Sequence, residues 1–353
     1  MKSIRLLEKL SLAFGPSGYE YEVAEIMKKE VKEKAVSAKD GLGSLIFEKK
    51  GTAANPRVMV AAHLDEVGFI IQNIAKKGFL RFHPIGGWDS VILPGQRLLI
   101  RGKKGDIEGV VGSIPPHFTK GKEKNVVPEI KDMLIDIGAG SEKEAQELGV
   151  EIGSFAIPSP YFKKMNHPGL FIGKAFDNRI GCSLIVDFLS LMEKEKHPNT
   201  VFAAATVQEE VGLRGARTAA ESVKPDVALV LEAPPADDFP GITRDKPQGA
   251  LGKGVQIRCF DPTMIGNVKL KDFVVDTAEK NSIPYQLAVR TGGGTDAGAI
   301  HLSGKGVPSI VLGVPVRYIH APSGIMSSKD YESALKLLEK LVQSLSKEKV
   351  AGF

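Results

Sequence analysis

At 353 residues the chain is longer than a single hydrophobic core usually serves, which predicts one large domain and one smaller one. Its 42% apolar and 25% charged residues are those of an ordinary folded protein and exclude a disordered one. The 47 basic residues barely exceed the 42 acidic, no basic block is interleaved with aromatics and no apolar run reaches spanning length, so neither nucleic acid nor a membrane is expected as partner.

In chain order, "MKSIRLLEKLSLAFG" spaces its apolar residues as a helix does and lacks the continuous apolar stretch of a secretion signal, so a cytoplasmic location is expected. Pro and Gly in "FGPSGYEYE" separate it from a second amphipathic helix. Strands are expected at "SLIFEKKG" and "RVMVAAH", the second apolar enough to be covered on both faces. Between residues 67 and 159 the texture changes to short strand-like pieces set apart by Gly, Lys and Asp turns, which predicts an inserted all-β module. Residues 1–66 and 160–353 then form one discontinuous domain. Its second part alternates helix and strand: a helix at "NRIGCSLIVDFLSLMEKEK", a strand at "TVFAAATV", a helix near "LRGARTAAESV", a strand at "DVALVLEA". Strand "KGVQIRCF", helix "NVKLKDFVVDTAEKNS", strands "YQLAVR" and "PSIVLGVP" and a closing helix "KDYESALKLLEKLVQSL" complete it. This order predicts an α/β fold with a mostly parallel sheet, split by the β-rich insertion. Cys182 and Cys259 are too few and too far apart for a disulfide framework or a cysteine metal site, and are expected as buried thiols. The lysines of "KGKEKN" and "SLSKEKV" read as solvated loop and terminus.

Ligands of open α/β sheets lie beyond the carboxyl ends of the strands. The residues there are His63 and Asp65, Glu209 and Glu210, Glu232 and His320, with Asp177 just before a helix. Imidazoles and carboxylates are the ligand types of zinc and neighbouring divalent ions. Singly, each has a plainer reading: an interior histidine, a helix cap at Asp177, a solvated glutamate. Together, five ligands suit two cations that share one carboxylate. Asp177 is then the bridge, His63 and Glu232 complete one site, and Glu210 and His320 complete the other. Asp65 falls behind His63, where a carboxylate fixes the imidazole tautomer. Glu209 is left over, placed to move protons.

The blocks "AAHLDEVGF", "AFDNRIGC", "TVQEEVGLRGA", "LEAPPADDFPG", "RTGGGTDAGAIH" and "VPVRYIHAPSG" resemble, in family order, the M42 metallo-aminopeptidases, the tetrahedral or glutamyl aminopeptidase group once often labelled endoglucanase. The resemblance implies a peptidase domain with a pair of divalent ions, zinc foremost and cobalt as alternative, and an inserted barrel-like dimerisation domain. It also implies homo-oligomers reaching a tetrahedral dodecamer. Carried over position by position, His63, Asp177, Glu210, Glu232 and His320 fall on metal ligands, Glu209 on the general base and Asp65 on the acid behind the first histidine. The position of Glu232 is Asp in some members, and the proline-rich "APPADD" bears on substrate preference.

The reaction so implied is removal of the N-terminal residue from peptides with a free N-terminus, a hydroxide bridging the metals attacking while Glu209 carries its proton to the leaving nitrogen. "TGGGTDAGAIH" is expected to line the substrate channel, or alternatively to form a tight turn with Asp296 at a helix start. His301 is expected to be structural, and His83, His117, His167 and His197 receive no role at the site. Two other functions compete: a zinc-dependent deacylase or carboxypeptidase on the same scaffold, and a non-catalytic regulatory or carbohydrate-binding relative.

Overall fold

A computed structural model describes residues 2–114, 117, 128–242 and 246–353. The "KGKEKN" lysines lie outside the described residues.

The large sheet is built on four parallel neighbours, Thr200–Thr206, Arg57–His63, Val227–Glu232 and Ser309–Gly313. Their apolar runs are buried almost end to end, as strands covered by helices on both faces must be. Antiparallel strands extend both sides: Leu45–Lys50 and Val36–Lys39 beyond Thr200–Thr206, and Val255–Asp261 beyond Ser309–Gly313. Strand Tyr285–Val289 pairs with Val255–Asp261 in parallel. The sheet is therefore mixed, with the parallel portion at its centre.

One face carries the larger core. Helix Phe176–Leu191 lies there and is buried nearly all round, because helices Lys2–Leu12, Tyr21–Val31 and Ser328–Ser344 cover it in turn. The last of these buries Tyr331, Ala334, Leu338, Leu341 and Val342 at helical spacing. The opposite face is covered by Arg214–Val223, whose small residues Ala216, Ala219 and Ala220 meet Met59, Ala61 and Ala204. Cys182 is buried and Cys259 only half-buried, both as free thiols.

Among the described residues, six strands form a closed barrel between Gly68 and Pro158, in the order Gly68–Ile74, Leu80–Ile85, Ile135–Asp136, Gly105–Val111, Arg97–Gly102, Phe155–Pro158. Phe69, Phe82, Leu98, Ile100 and Ile135 fill it. The expectation of an all-β insertion needs one correction, since a helix, Glu142–Glu147, stands beside the barrel strands. Its start is capped: Ser141 Oγ accepts the Glu144 N–H at 3.2 Å, and Glu144 Oε2 reaches back to accept the N–H of Gly140, one residue before the cap, at 2.8 Å. Among the described residues no helix is long and apolar enough to cross a membrane.

Candidate metal centre

The site assembles at one rim of the parallel strands. His63 is the last residue of its strand, Thr206 pairs beside it in register, and Glu232 ends the strand on its other side. Glu209 and Glu210 follow Thr206 by three and four residues, so the same rim receives them. His320 arrives on the loop after Val316–Arg317.

Asp177 lies at the beginning of helix Phe176–Leu191, but its backbone is extended, with φ −83° and ψ 106°. The capping role considered for it falls to its neighbour. Asn178 Oδ1 accepts the Gly181 N–H at 3.0 Å, and its Nδ2 donates to the carbonyl of Leu231 at 2.9 Å, tying helix to strand. Asp177 is thereby free to face the site.

Its two oxygens go to different imidazoles. Oδ1 is 3.1 Å from His63 Nε2, and Oδ2 is 3.5 Å from His320 Nε2. Glu232 Oε1 is 3.5 Å from His63 Nε2, and Glu210 Oε1 is 3.3 Å from His320 Nε2. Glu209 Oε2 stands further back, 3.9 Å from His63 Nε2. Donor atoms gather in overlapping triples: His63 with Asp177 and Glu232, Asp177 with Glu210 and His320, and His63 with Glu209 and Glu210. Nitrogen and oxygen ligands arranged tetrahedrally about zinc stand roughly 3.3 Å from one another. The observed separations suit that spacing, so these residues could hold divalent cations.

Electrostatics point the same way. Burial pushes the Glu209 carboxyl well up against the pull of His63, and the charges of Glu210 and Glu232 add to it. Glu210 is raised by burial and by Asp177, and Glu232 is pushed up to about 7 by burial and Asp177. Burial alone would lower the imidazoles. The surrounding carboxylates overcome it, raising His63 well above its ordinary value and His320 to about 11. Asp177, despite its burial, is held low by His320 and His63. Carboxylates that resist charging around imidazoles that hold protons mark a cluster whose negative potential calls for cations.

Asp65 is fully buried behind His63, whose Nδ1 is 3.1 Å from the Asp65 carbonyl and 3.5 Å from Oδ1. Asp65 does more than the sequence suggested. Its carboxylate accepts the N–H groups of Glu209 and Glu210 at 3.0 and 3.1 Å and the Ser17 hydroxyl at 2.6 Å. Ser17 reads in the sequence only as a possible start of the second helix, which begins instead at Tyr21, and neither it nor Glu20 carries a signal for the site. Asp296 precedes a helix of four residues without capping it, and instead accepts a hydrogen bond from the Thr206 hydroxyl. Burial pushes its carboxyl up to about 6. His301 bonds the Ala297 carbonyl within that helix. The barrel also reaches the site: a Cβ on Gly87 would meet His320 Nδ1 at 3.3 Å, and one on Gly86 would meet Glu210 Cβ at 3.3 Å.

The sequence model of the M42 glutamyl aminopeptidase family matches residues 43–337. The chain belongs to the M42 peptidase family. Membership makes it a metal-dependent aminopeptidase. The chain is 40% identical to the putative aminopeptidase FrvX of Escherichia coli strain K12 over 99% of its own length and 98% of that protein's. The TET aminopeptidase from the marine sediment archaeon Thaumarchaeota archaeon SCGC AB-539-E09 superposes with a TM-score of 0.97 at 45% identity, covering 99% of this chain and 98% of that one. The TET1 peptidase of Pyrococcus horikoshii, which can assemble into a tetrahedron or a large octahedral shell, superposes with a TM-score of 0.88 at 34% identity over 97% of this M42 chain and all of its own.

Proposed function

We propose that this M42 chain is a dinuclear aminopeptidase in which His63, Asp177 and Glu232 hold one divalent cation and Asp177, Glu210 and His320 hold the other. The observation that carries this reading is the division of the Asp177 carboxylate between two imidazoles, at 3.1 and 3.5 Å. Zinc is the proposed ion, with cobalt the competing one, because imidazole and carboxylate suit both. Such a pair supplies Lewis acidity to the scissile carbonyl and to the attacking water.

The protein residues then have distinct work. Glu209, buried and ready to hold a proton, takes one from the attacking water and passes it to the departing peptide nitrogen. Asp65 fixes the His63 ring and the backbone of Glu209 and Glu210. The α-amine of a peptide's free N-terminus, a lone-pair donor, would bind at the position that such a catalytic site leaves open. We assign the catalytic domain to residues 1–66 and 160–353, and a dimerisation role to the barrel of residues 67–159. Dimers would build a tetrahedral dodecamer, a reading supported by the tetrahedral assembly of the Pyrococcus horikoshii relative. The free thiols of Cys182 and Cys259 suit a cytoplasmic location.

Glu209→Gln should bind both metals and lose kcat by roughly 100-fold or more on aminoacyl-p-nitroanilides. Near-native turnover by that variant would remove Glu209 as base. An N-acetylated peptide should be inert; its hydrolysis would favour a deacylase instead.

A further inference from the structure

Three consecutive backbone N–H groups, of Gln208, Glu209 and Glu210, run across the proposed base, and each is received by a buried carboxylate. Those of Glu209 and Glu210 go to Asp65 at 3.0 and 3.1 Å. That of Gln208 goes to Glu20 Oε1 at 3.0 Å, from a residue 188 positions away in sequence. Gln208 has a left-handed φ of 56°, a conformation that a residue with a Cβ keeps only where its surroundings enforce it.

Glu20 is only 7% exposed, and the same Oε1 accepts the Gly18 N–H at 2.8 Å. Its short segment is anchored from several directions. Gly15 O accepts from the Glu66 N–H and from Arg179 Nη2, both at 3.0 Å. The Tyr19 ring lies between Phe14 and Phe155 of the barrel, with centroids 5.2 and 5.4 Å away. A carboxylate carried on so fixed an element sets the position of whatever it holds. Burial and the charge of Asp65 push the Glu20 carboxyl up to about 7, a cost that a surface turn would not impose.

We infer that Glu20 is a positioning residue for the reaction: by holding the Gln208 N–H it fixes the left-handed turn that aims Glu209 at the reacting centre. This rests on the reading of Glu209 as base. Misplacement of a catalytic group by about 1 Å can cost roughly 100-fold in rate, while substrate and metal ligands elsewhere in the site stay in place.

The test compares Glu20→Ala, Glu20→Gln and Glu20→Asp as metal-loaded full-length protein, reading kcat, KM and metal content on one aminoacyl-p-nitroanilide. Glu20→Ala should lower kcat about 10- to 100-fold with KM and metal content within about twofold of the parent. Glu20→Gln keeps an oxygen acceptor at the same reach and should recover kcat to within about threefold. Glu20→Asp, one methylene short, should behave like Ala. The inference is overturned if Glu20→Ala keeps its kcat, if Gln falls as far as Ala, or if the loss follows departing metal. Should the Ala variant fail to fold, Gln against Asp decides, and equal kcat in those two overturns it. Glu209→Gln runs alongside: an inactive Glu209→Gln beside a fully active Glu20→Ala sinks this inference alone, whereas an active Glu209→Gln sinks the base assignment beneath it.

Discussion

Asp177 can offer one oxygen to each imidazole because Asn178, the next residue, takes over the cap of the helix behind it. The division of labour recurs between Glu209 and Glu210, adjacent acids of which one lies 3.3 Å from His320 and the other 3.9 Å from His63. Glu20 gives a test of the electrostatics that is independent of turnover. Its carboxyl stands at about 7 in the folded chain against an ordinary 4.5, so folding favours the neutral acid. That contribution is complete below the ordinary value and is lost as pH rises through about 7, when the buried carboxylate must carry charge beside Asp65. Glu20→Gln is neutral throughout. Its melting temperature relative to the parent should therefore climb between about pH 4.5 and 7 and level off above, a difference of a few kcal/mol at most. A difference independent of pH would contradict the assignment.

At the scale of elements, one buried cluster joins the N-terminal helices to the loops that bear the site. Glu66 accepts both Lys174 Nζ, at 2.7 Å, and Arg179 Nη2, at 3.0 Å, and all three residues are almost fully enclosed. Lys174 Nζ and Arg179 Nη1 reach on to the carbonyl of Ala13, each at 3.3 Å, near the end of the first helix. Removing the single anion would leave two buried cations facing each other. Glu66→Ala should cost about 3–5 kcal/mol, read as a lower denaturant midpoint at unchanged slope. A loss below about 1 kcal/mol would mean that Lys174, which burial already lowers to about 8, gives up its proton when Glu66 is gone. The central strands were readable from sequence because burial on both faces leaves nearly continuous apolar runs such as "TVFAAAT" and "VALVLE". Strands Phe162–Lys164, Leu170–Gly173 and Gly324–Ser327 were not, since three or four residues are too few to show a periodicity, whether paired nearby, as the first two are with each other, or far along the chain, as the last two are. The helix Glu142–Glu147 did carry a signal, the Ser141 to Glu144 spacing, hidden among β-type turns.

Across the whole molecule, the separation of the proposed ligands in sequence is undone by strand register. The parallel rim brings residues 63, 209, 210 and 232 together, and a helix start and a loop bring 177 and 320. Residue type and position at strand ends made this convergence legible. The role of Ser17 and Glu20 was not, because their partners lie 48 and 188 positions away and the Gly-Pro-Ser-Gly turn reads only as a helix break. The barrel, too, is more than an appendage, since its Gly86–Gly87 turn closes against Glu210 and His320.

The central claim is that five side chains cage two cations through the shared Asp177 carboxylate. Metal content per chain, measured by mass spectrometry on the parent and on Asp177→Ala and His320→Ala, tests it most directly. The account predicts two ions in the parent, one kept by His63 and Glu232 in His320→Ala, and loss of both from Asp177→Ala after dialysis. One ion in the parent, or two retained by Asp177→Ala, would contradict it.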